Sequence, residues 1–172
     1  MKFHEETLSK NYVYRGKILN LRCDDARRPD GKPCKREIVE HSGGAAVLAE
    51  TERGIALVKQ FRYAYGEEIY EIPAGKLNAG EDPMEAARRE LKEETGLEAE
   101  KLTFLTVLYP SPGYTDEKIY IYRAETAVCG ESKLDDGEFL DVEYFERERV
   151  VEMIKRGQIR DSKTIAAILF PE

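Results

Sequence analysis

The stretch Gly75–Leu97 reads G-K-L-N-A-G-E-D-P-M-E-A-A-R-R-E-L-K-E-E-T-G-L and carries the strongest structural signals in the chain. Asp82 is a favoured N-cap residue, and Pro83 suits the first position of a helix. Gly96 readily adopts the left-handed conformation that ends a helix. The stretch therefore predicts a glycine-containing loop followed by a helix from Pro83 to Thr95.

One face of this predicted helix is apolar and the neighbouring face is acidic. At about 100° per residue a single stripe collects three apolar side chains, Met84, Ala87 and Leu91. Glu90 and Glu94 lie one turn apart beside that stripe, and Glu93 lies on their outer flank. Such like charges repel by roughly 0.2–0.5 kcal/mol per pair on an exposed helix, and by more where burial adds desolvation. A divalent cation would remove this repulsion, although helix composition alone is equally compatible with a solvated acidic helix paired with its basic neighbours.

The full spacing of the stretch resembles the Nudix box at every defining position. It reads Gly75, five residues, Glu81, seven residues, Arg89-Glu90-Leu91, one residue, Glu93-Glu94, one residue, Gly96-Leu97. A motif that specifies nine positions seldom matches by chance. The resemblance implies a hydrolase for a nucleoside diphosphate linked to another group, in which this loop–helix–loop holds divalent metal against a pyrophosphate.

The resemblance also implies which residues hold the metal. Glu90 and Glu94 are its first expected ligands, and the backbone carbonyl of Ala74 is expected to point at it. Because all of these ligand atoms are oxygens, the expected ion is Mg²⁺, with Mn²⁺ as a substitute.

Three more residues of the box are expected to support this site. Glu81 is expected to orient the loop or to hold a metal-bound water. Glu93 is expected to act as a third, water-mediated ligand or as a general base. Arg89 is expected to position the carboxylates by bidentate pairing rather than to touch the substrate.

A second motif lies outside the box, at S-P-G-Y-T-D-E in residues 111–117. Pro112 stands sixteen residues after Gly96, and a proline near this offset marks the ADP-ribose pyrophosphatase branch of the family. Glu117 then matches the loop carboxylate that serves as catalytic base in similar enzymes. Further similarity to this branch covers most of the chain, with K-R-E-I-V-E-H at 35–41, Q-F-R at 60–62, E-I-P-A-G at 71–75 and I-R-D-S-K-T-I-A-A at 159–167.

Residues that bind the substrate are expected on the same grounds. Arg36 and Arg62 match positions that contact the nucleotide or the terminal sugar in similar enzymes, and a guanidinium suits both phosphate pairing and stacking on adenine. Tyr12 or Tyr14 is expected to lie on the other side of the base. Glu71, which opens the E-I-P-A-G segment, completes the expected set, and the two histidines are assigned no role.

Composition narrows the class of protein. The 172 residues suit one domain with a small N-terminal appendage. The net charge of −7 argues against a nucleic-acid-binding protein. Cys23, Cys34 and Cys129 form no C-x-x-C pair, which indicates neither a disulfide framework nor a zinc site. Since no long apolar run or signal-like segment occurs, we expect a cytoplasmic protein with no membrane partner.

Hydrophobic periodicity predicts many strands and few helices. Strands are expected at 12–15, 19–24, 35–41, 45–50, 55–61, 68–72, 102–109, 118–125 and 139–145. Further helices are expected at 146–157 and 162–169, a polar turn-rich stretch at 129–137, and a loose end at 1–10. This pattern favours an α+β or α/β/α layered domain. The resemblance implies the Nudix fold, in which a mixed sheet lies between helices.

Two regions are expected within this fold. Residues 1–42 are expected to contain an antiparallel hairpin, which is marginal in water by itself and must pack on the body of its own chain or on a partner chain. The resemblance implies that this segment serves in dimerisation. Residues 43–172 are expected to form the Nudix domain. The resemblance implies a homodimer.

The leading hypothesis is Mg²⁺-dependent hydrolysis of the pyrophosphate of ADP-ribose to AMP and ribose 5-phosphate. One alternative keeps this chemistry but takes another nucleoside diphosphate sugar, such as GDP-mannose. Another alternative is a sensing module that binds ADP-ribose without cleaving it. The sensing module is disfavoured because every carboxylate of the box is present and no segment the size of a helix-turn-helix remains.

Overall fold

The computed structural model describes residues 2–129 and 139–170, and of residues 125–129 it describes the backbone only. The chain divides into two units. The first, here called the N-terminal unit, comprises Met1–Gly43 and Tyr109–Lys118. The second, here called the main unit, comprises Gly44–Leu108 and Ile119–Glu172.

A four-stranded antiparallel sheet makes up most of the N-terminal unit. Its strands are β1 (Glu6–Ser9), β2 (Tyr12–Arg15), β3 (Leu19–Arg27) and β4 (Pro33–His41). The β3 strand pairs with β4 along its whole length, from Leu19 opposite His41 to Arg27 opposite Pro33. On its other edge β3 pairs first with β2 and then with β1. The predicted antiparallel hairpin of β3 and β4 is therefore confirmed.

The prediction of a loose end at residues 1–10 is wrong, because residues 6–9 form β1. Every side chain of this strand is exposed, so its sequence carries no apolar alternation. Backbone pairing with β3 holds it instead, together with an exposed ion pair between Arg27 and Glu6 at 2.8 Å.

The segment Tyr109–Lys118 belongs to the N-terminal unit because it is hydrogen-bonded to β4. The backbone N–H of Val39 donates to the carbonyl of Tyr114 at 2.8 Å, and that of Asp116 donates to the carbonyl of Val39 at 3.2 Å. The S-P-G-Y-T-D-E motif is thus attached to the end of β4.

A seven-stranded mixed sheet forms the centre of the main unit. Its strands are β5 (Gly44–Thr51), β6 (Gly54–Arg62), β7 (Glu67–Glu71), β8 (Ala74–Lys76), β9 (Leu97–Leu108), β10 (Ile119–Cys129) and β11 (Leu140–Phe145). Five of them follow the order β11-β6-β5-β10-β9, while β7 pairs with β6 and β8 with β5. The pairing of β5 with β10 is parallel, and the other pairings are antiparallel.

Three helices accompany this sheet: α1 (Pro83–Thr95), α2 (Arg147–Lys155) and α3 (Ser162–Leu169). The bounds predicted for α1 and α3 are confirmed, and α2 is slightly shorter than predicted. Within residues 2–129 and 139–170, none of the helices has the length and apolar character needed to cross a membrane.

The β5 strand is buried on both faces, as expected for a continuous apolar run. Its odd-numbered residues Ala45, Val47 and Ala49 share a core with α1. Its even-numbered residues Ala46 and Leu48 share a second core with α2 and α3. The helices therefore cover opposite faces of the sheet, which confirms the predicted α/β/α arrangement.

The β9 strand begins at Leu97, whereas periodicity predicted a start at Leu102. Its first part, L-E-A-E-K, contains three charged residues and is paired with the end of β10, where Leu97 lies opposite Cys129. Backbone pairing extends this strand beyond the apolar segment that the sequence reveals. The polar stretch predicted at 129–137 lies outside the described residues, apart from the backbone of residue 129.

Candidate active site

The two ends of α1 are fixed by local hydrogen bonds. The Asp82 side chain accepts from the backbone N–H groups of Met84 at 2.9 Å and Glu85 at 3.3 Å. At the other end Gly96 has a φ of 72° and donates its N–H to the carbonyl of Lys92. These bonds set the rotation of the helix and therefore the directions of its carboxylates.

The apolar stripe of α1 is buried, and Glu94 is buried beside it. Ala87 and Leu91 are fully inaccessible, and Glu94 is only 4% exposed. One oxygen of Glu94 accepts from the backbone N–H of Ala74 at 3.0 Å. Glu94, an expected metal ligand, is therefore in direct contact with Ala74, whose carbonyl is another expected ligand.

Arg89 joins three of the acidic residues of the box, which we call the Arg89 cluster: Glu81, Glu90 and Glu93 around Arg89. Its Nε and Nη2 donate to the two oxygens of Glu81, at 2.9 and 3.0 Å. Its Nη1 donates to Glu90 at 2.6 Å and to Glu93 at 3.0 Å. The expected positioning role of Arg89 agrees with these contacts.

The carboxylate of Glu81 is held strongly in its ionised form. The hydrogen bond from Arg89, followed by one from the backbone N–H of Asn78 at 2.8 Å, lowers the pKa of Glu81 to about 2. The same pairing raises the pKa of Arg89. Through these bonds Glu81 links the loop of the box, at Asn78, to the helix, at Arg89.

The positive charge of Arg89 cancels part of the expected repulsion among these carboxylates. The single guanidinium of Arg89 pairs with three of them, which agrees with the alternative of an acidic helix paired with its basic neighbours. One cation faces three anions, however, and these four side chains carry a net charge of −2. That excess can still attract a further cation.

Gly75 makes room for the carboxylate of Glu90. A Cβ atom at this position would lie 2.0 Å from the Cδ and Oε1 atoms of Glu90. Any larger residue would push that carboxylate aside, so the glycine allows Glu90 to lie against the backbone at the start of the loop.

The donor set fits a hard divalent cation. Among the residues that the structure describes, no three His, Cys, Asp or Glu side chains form a ready-made metal cage. Mg²⁺ does not need one, because it commonly binds through one or two carboxylates, waters and substrate phosphates. Glu90, Glu94 and the carbonyl of Ala74 offer oxygen atoms only, which suits Mg²⁺ or Mn²⁺.

A second group of charges, which we call the buried cluster, comprises Arg62, Glu71, Asp161 and Lys163. Glu71 is 2% exposed and Lys163 is 7% exposed. Glu71 accepts from both Arg62, through Nη2 at 2.9 Å, and Lys163. Lys163 also pairs with Asp161 at 3.1 Å. The two cations and two anions balance each other.

Burial alone raises the pKa of Glu71, but the hydrogen bond from Arg62 and the charge of Lys163 outweigh it and lower that pKa. Pairing with Glu71 likewise raises the pKa of Arg62. The Oγ1 atom of Thr164 accepts from the backbone N–H of Ile72 at 2.8 Å, which ties α3 to the end of β7. The buried cluster therefore anchors the strand that leads into the box.

No role was expected for Lys163. Asp161 is the N-cap of α3, where its side chain accepts from the backbone N–H of Thr164 at 2.9 Å. The signal for Lys163 is present in S-K-T-I-A-A-I-L, where the lysine is the only charged residue of a mainly apolar helix. A lysine in such a place needs a buried partner, but the sequence does not reveal that the partner is Glu71.

The expected site residues of the N-terminal unit are paired within that unit. Arg36 donates through Nε to Glu5 at 2.8 Å, and its side chain is 44% exposed. The Tyr12 hydroxyl donates to Glu40 at 3.3 Å, and the Arg15 guanidinium lies 3.6 Å from the centre of the Tyr12 ring. Both expected substrate-binding side chains are accessible to solvent.

Glu117, the expected base, lies beside a histidine that was assigned no role. One of its oxygens is 3.3 Å from Nδ1 of His41, and its backbone N–H donates to Oγ1 of Thr115 at 3.2 Å. The backbone N–H of His41 donates to the Asp116 carboxylate at 2.9 Å. Sequence reasoning missed His41 because it stands on a different segment from Glu117.

Two family models cover most of the chain. The NUDIX domain model matches residues 40–168, and the model of the nucleoside diphosphate sugar hydrolase N-terminal domain matches residues 5–39. Nudix hydrolases generally depend on a divalent metal ion.

Several curated proteins align with nearly the whole chain. An ADP-ribose pyrophosphatase of Bacillus subtilis (strain 168) is 44% identical over 169 residues, which are 96% of this chain and 91% of that protein. A methanol dehydrogenase activator of Bacillus methanolicus is 41% identical over 171 residues, covering 98% and 92%. A GDP-mannose pyrophosphatase of Escherichia coli O1:K1 / APEC is 34% identical over 174 residues, covering 94% and 88%.

A solved structure described as an ADP compounds hydrolase has the same fold. It matches with a TM-score of 0.83 over 99% of this chain and 92% of that chain, at 22% identity. The box spacing, the layered sheet and the family models agree, and the chain belongs to the Nudix family.

Proposed function

We propose that this protein hydrolyses the pyrophosphate bond of ADP-ribose to AMP and ribose 5-phosphate, with Mg²⁺ as its cofactor. The observation that carries this proposal is the placement of the expected metal ligands, with Glu90 against Gly75 and Glu94 accepting from the backbone N–H of Ala74 at 3.0 Å. The ADP-ribose pyrophosphatase at 44% identity supports the choice of substrate.

Glu90, Glu94 and the Ala74 carbonyl would hold the Mg²⁺ ion, and Mn²⁺ would substitute. Glu81 would keep the loop in place through Arg89. When bound, such an ion neutralises the diphosphate and lowers the pKa of a water molecule.

We propose Glu117 as the general base that takes a proton from the attacking water. Glu93 is the weaker candidate, because one of its oxygens already accepts from Nη1 of Arg89 at 3.0 Å. The carboxylate of Glu117 is 28% exposed, so it is accessible to water.

The substrate would be bound by Arg36, Arg62 and Tyr12. The exposed pair between Arg36 and Glu5 is of the kind that contributes little to stability, so a phosphate could replace Glu5 at small cost. Because Glu71 is almost fully buried and bonded to Arg62, we propose that it acts on the substrate through that arginine.

A second candidate substrate is GDP-mannose or another nucleoside diphosphate sugar. The GDP-mannose pyrophosphatase at 34% identity over 94% of the chain favours this alternative. The residues of the box do not distinguish the two substrates, because they contact the diphosphate that both share.

We also propose a cytoplasmic homodimer with a domain boundary near residue 42. The free thiols of Cys23 and Cys34 fit a reducing compartment. In the N-terminal unit several apolar side chains are exposed, among them Val13 at 66%, Tyr14 at 58% and Ile18 at 65%. A second copy of the chain would cover them, and light scattering at micromolar concentration tests this, since a monomer would contradict it.

The substrate is tested by measuring kcat/KM with Mg²⁺ for ADP-ribose, GDP-mannose and a dinucleotide, with identification of the products by mass spectrometry. We expect the highest value for ADP-ribose, with AMP and ribose 5-phosphate as products. Glu90→Gln should abolish most of the activity, while Glu85→Gln, an exposed change on the same helix, should not. Binding of ADP-ribose without turnover would instead support a sensing module.

A further inference from the structure

His41 and Glu117 form a close pair within the N-terminal unit. Nδ1 of His41 lies 3.3 Å from Oε1 of Glu117, and the two side chains are only 17% and 28% exposed. An inference about His41 rests on the proposed role of Glu117 as the base.

The same Nδ1 atom faces a second group. The backbone N–H of Gly43 donates to it at 3.1 Å, which requires a lone pair on Nδ1. A nitrogen that accepts from Gly43 cannot at the same time donate to the Glu117 carboxylate. With Nδ1 accepting from Gly43, no proton lies between Oε1 of Glu117 and Nδ1, so a proton that reaches Oε1 has an acceptor 3.3 Å away.

The backbone, rather than flexible side chains, keeps the two residues together. The N–H of His41 donates to Asp116, the neighbour of Glu117, at 2.9 Å. The backbone of Asp116 donates in turn to the carbonyl of Val39 on β4 at 3.2 Å. The end of β4 and the S-P-G-Y-T-D-E motif therefore hold the imidazole ring next to the carboxylate.

We propose that His41 is a positioning residue for Glu117, and that its Nδ1 accepts a hydrogen bond from Glu117 once that carboxylate has taken up a proton. The proton leaves the attacking water and bonds to Oε1 of Glu117, which then donates it in a hydrogen bond to Nδ1. The Gly43 N–H loses its acceptor in this state and regains it when Glu117 returns the proton to solvent. His41 thus stabilises the protonated base through a neutral imidazole.

Kinetics of two His41 variants test this proposal. His41→Ala removes the acceptor and should lower kcat for ADP-ribose about 10–100-fold, the usual size of an effect transmitted through a hydrogen-bonded partner, with KM nearly unchanged. His41→Asn keeps an oxygen acceptor near the position of Nδ1 and should recover most of the loss. His4→Ala, an exposed change in the same unit, is the matched control. Parental kcat in His41→Ala, or a loss confined to KM, would overturn the proposal.

A double-mutant cycle separates this inference from the proposed function. Glu117→Gln alone tests whether Glu117 is the base. Parental activity in this variant would refute that role and, with it, the positioning role of His41. If Glu117→Gln is slow, adding His41→Ala should lower kcat no further, because His41 acts only through Glu117. A second loss of the same factor would show that His41 serves the fold instead.

A spectroscopic test needs no turnover and no metal. The chain contains two histidines, so ¹⁵N-labelled imidazoles give two sets of NMR signals. Glu117→Gln should shift the Nδ1 signal of His41 and leave that of His4 unchanged. An unchanged His41 signal in a folded variant would overturn the proposal, even if His41→Ala fails to fold.

Discussion

The main unit contains two groups of paired charges that differ in balance and burial. The Arg89 cluster places three carboxylates around one guanidinium, at side-chain exposures between 13% and 31%. The buried cluster places two cations against two anions, and Glu71 and Lys163 within it are less than a tenth exposed. One group therefore keeps an excess of negative charge near solvent. The other has no net charge, and its most exposed member is Arg62, at 40% of its side chain.

The difference separates a group that keeps charge for a cation from a group whose buried members, Glu71 and Lys163, serve the fold. Burying an unbalanced charge costs several kcal/mol, so a buried group has to be neutral and well bonded. A group near solvent can keep an excess charge at lower cost, because water screens it. The excess of the Arg89 cluster is therefore available to a cation, whereas the buried cluster has no net charge.

The largest expected effect is on stability, at Lys163. Lys163→Met leaves Glu71 and Asp161 buried with one cation fewer, and should lower the free energy of unfolding by about 3–5 kcal/mol. Urea titration measures this change. Lys155→Met, an exposed lysine on α2, is the control and should stay within about 0.5 kcal/mol of the parent. Equal stability of the two variants would contradict a structural role for the buried cluster.

The next effect is on activity, at Glu94. Glu94→Gln removes the charge of an expected metal ligand and should lower kcat about 100-fold or more, since metal ligation supplies several kcal/mol of transition-state stabilisation. The hydrogen bond with Ala74 should survive, because the amide oxygen can still accept from the N–H of Ala74. A variant that is unstable but fully active when folded would contradict the assignment of Glu94 as a metal ligand.

A smaller effect is expected from Mg²⁺ on the stability of the parent protein. Binding to the folded state alone should add about 1.4 kcal/mol at ten times the dissociation constant, measured as a rise in Tm. Sodium chloride at the same ionic strength controls for screening. The rise should vanish in Glu90→Gln and persist in Lys163→Met. A rise of the same size in Glu90→Gln would place the ion elsewhere.

The last effect is the pH dependence of stability that Glu81 contributes. Its pKa in the folded protein is about 2, against 4.5 for an ordinary glutamate, so the unfolded chain takes up this proton first as the pH falls. The stabilisation from Glu81 is complete above about pH 4.5 and is lost as the pH falls toward 2. Urea midpoints from pH 7 to pH 3 should therefore show that Glu81→Gln and the parent converge in acid. A constant difference across this range would contradict the assignment.

Local signals made the box helix predictable. The bounds Pro83–Thr95 follow from the Asp82 cap, the proline at the start and the glycine at the end, all of which act within a few residues. The burial of Glu94 beside the apolar stripe follows from helical periodicity alone. Strand β1 was missed because its stability comes from pairing with β3 and not from a pattern in its own side chains.

The partners of the charged residues were less predictable than the bounds and buried face of the box helix. Arg89 could be assigned to the carboxylates because it is their neighbour on one helix. Lys163 could not be assigned to Glu71, since 92 residues separate them. The pairing of His41 with Glu117 was missed for the same reason.

The sequence by itself determined the family, the box helix and the direction of each of its carboxylates, because hydrogen bonding and periodicity along one helix depend on near neighbours. Only the tertiary structure decided which carboxylates are balanced, which are left in excess and which histidine accompanies the base. Those outcomes depend on strand pairing and helix packing, which bring together residues that no local rule connects.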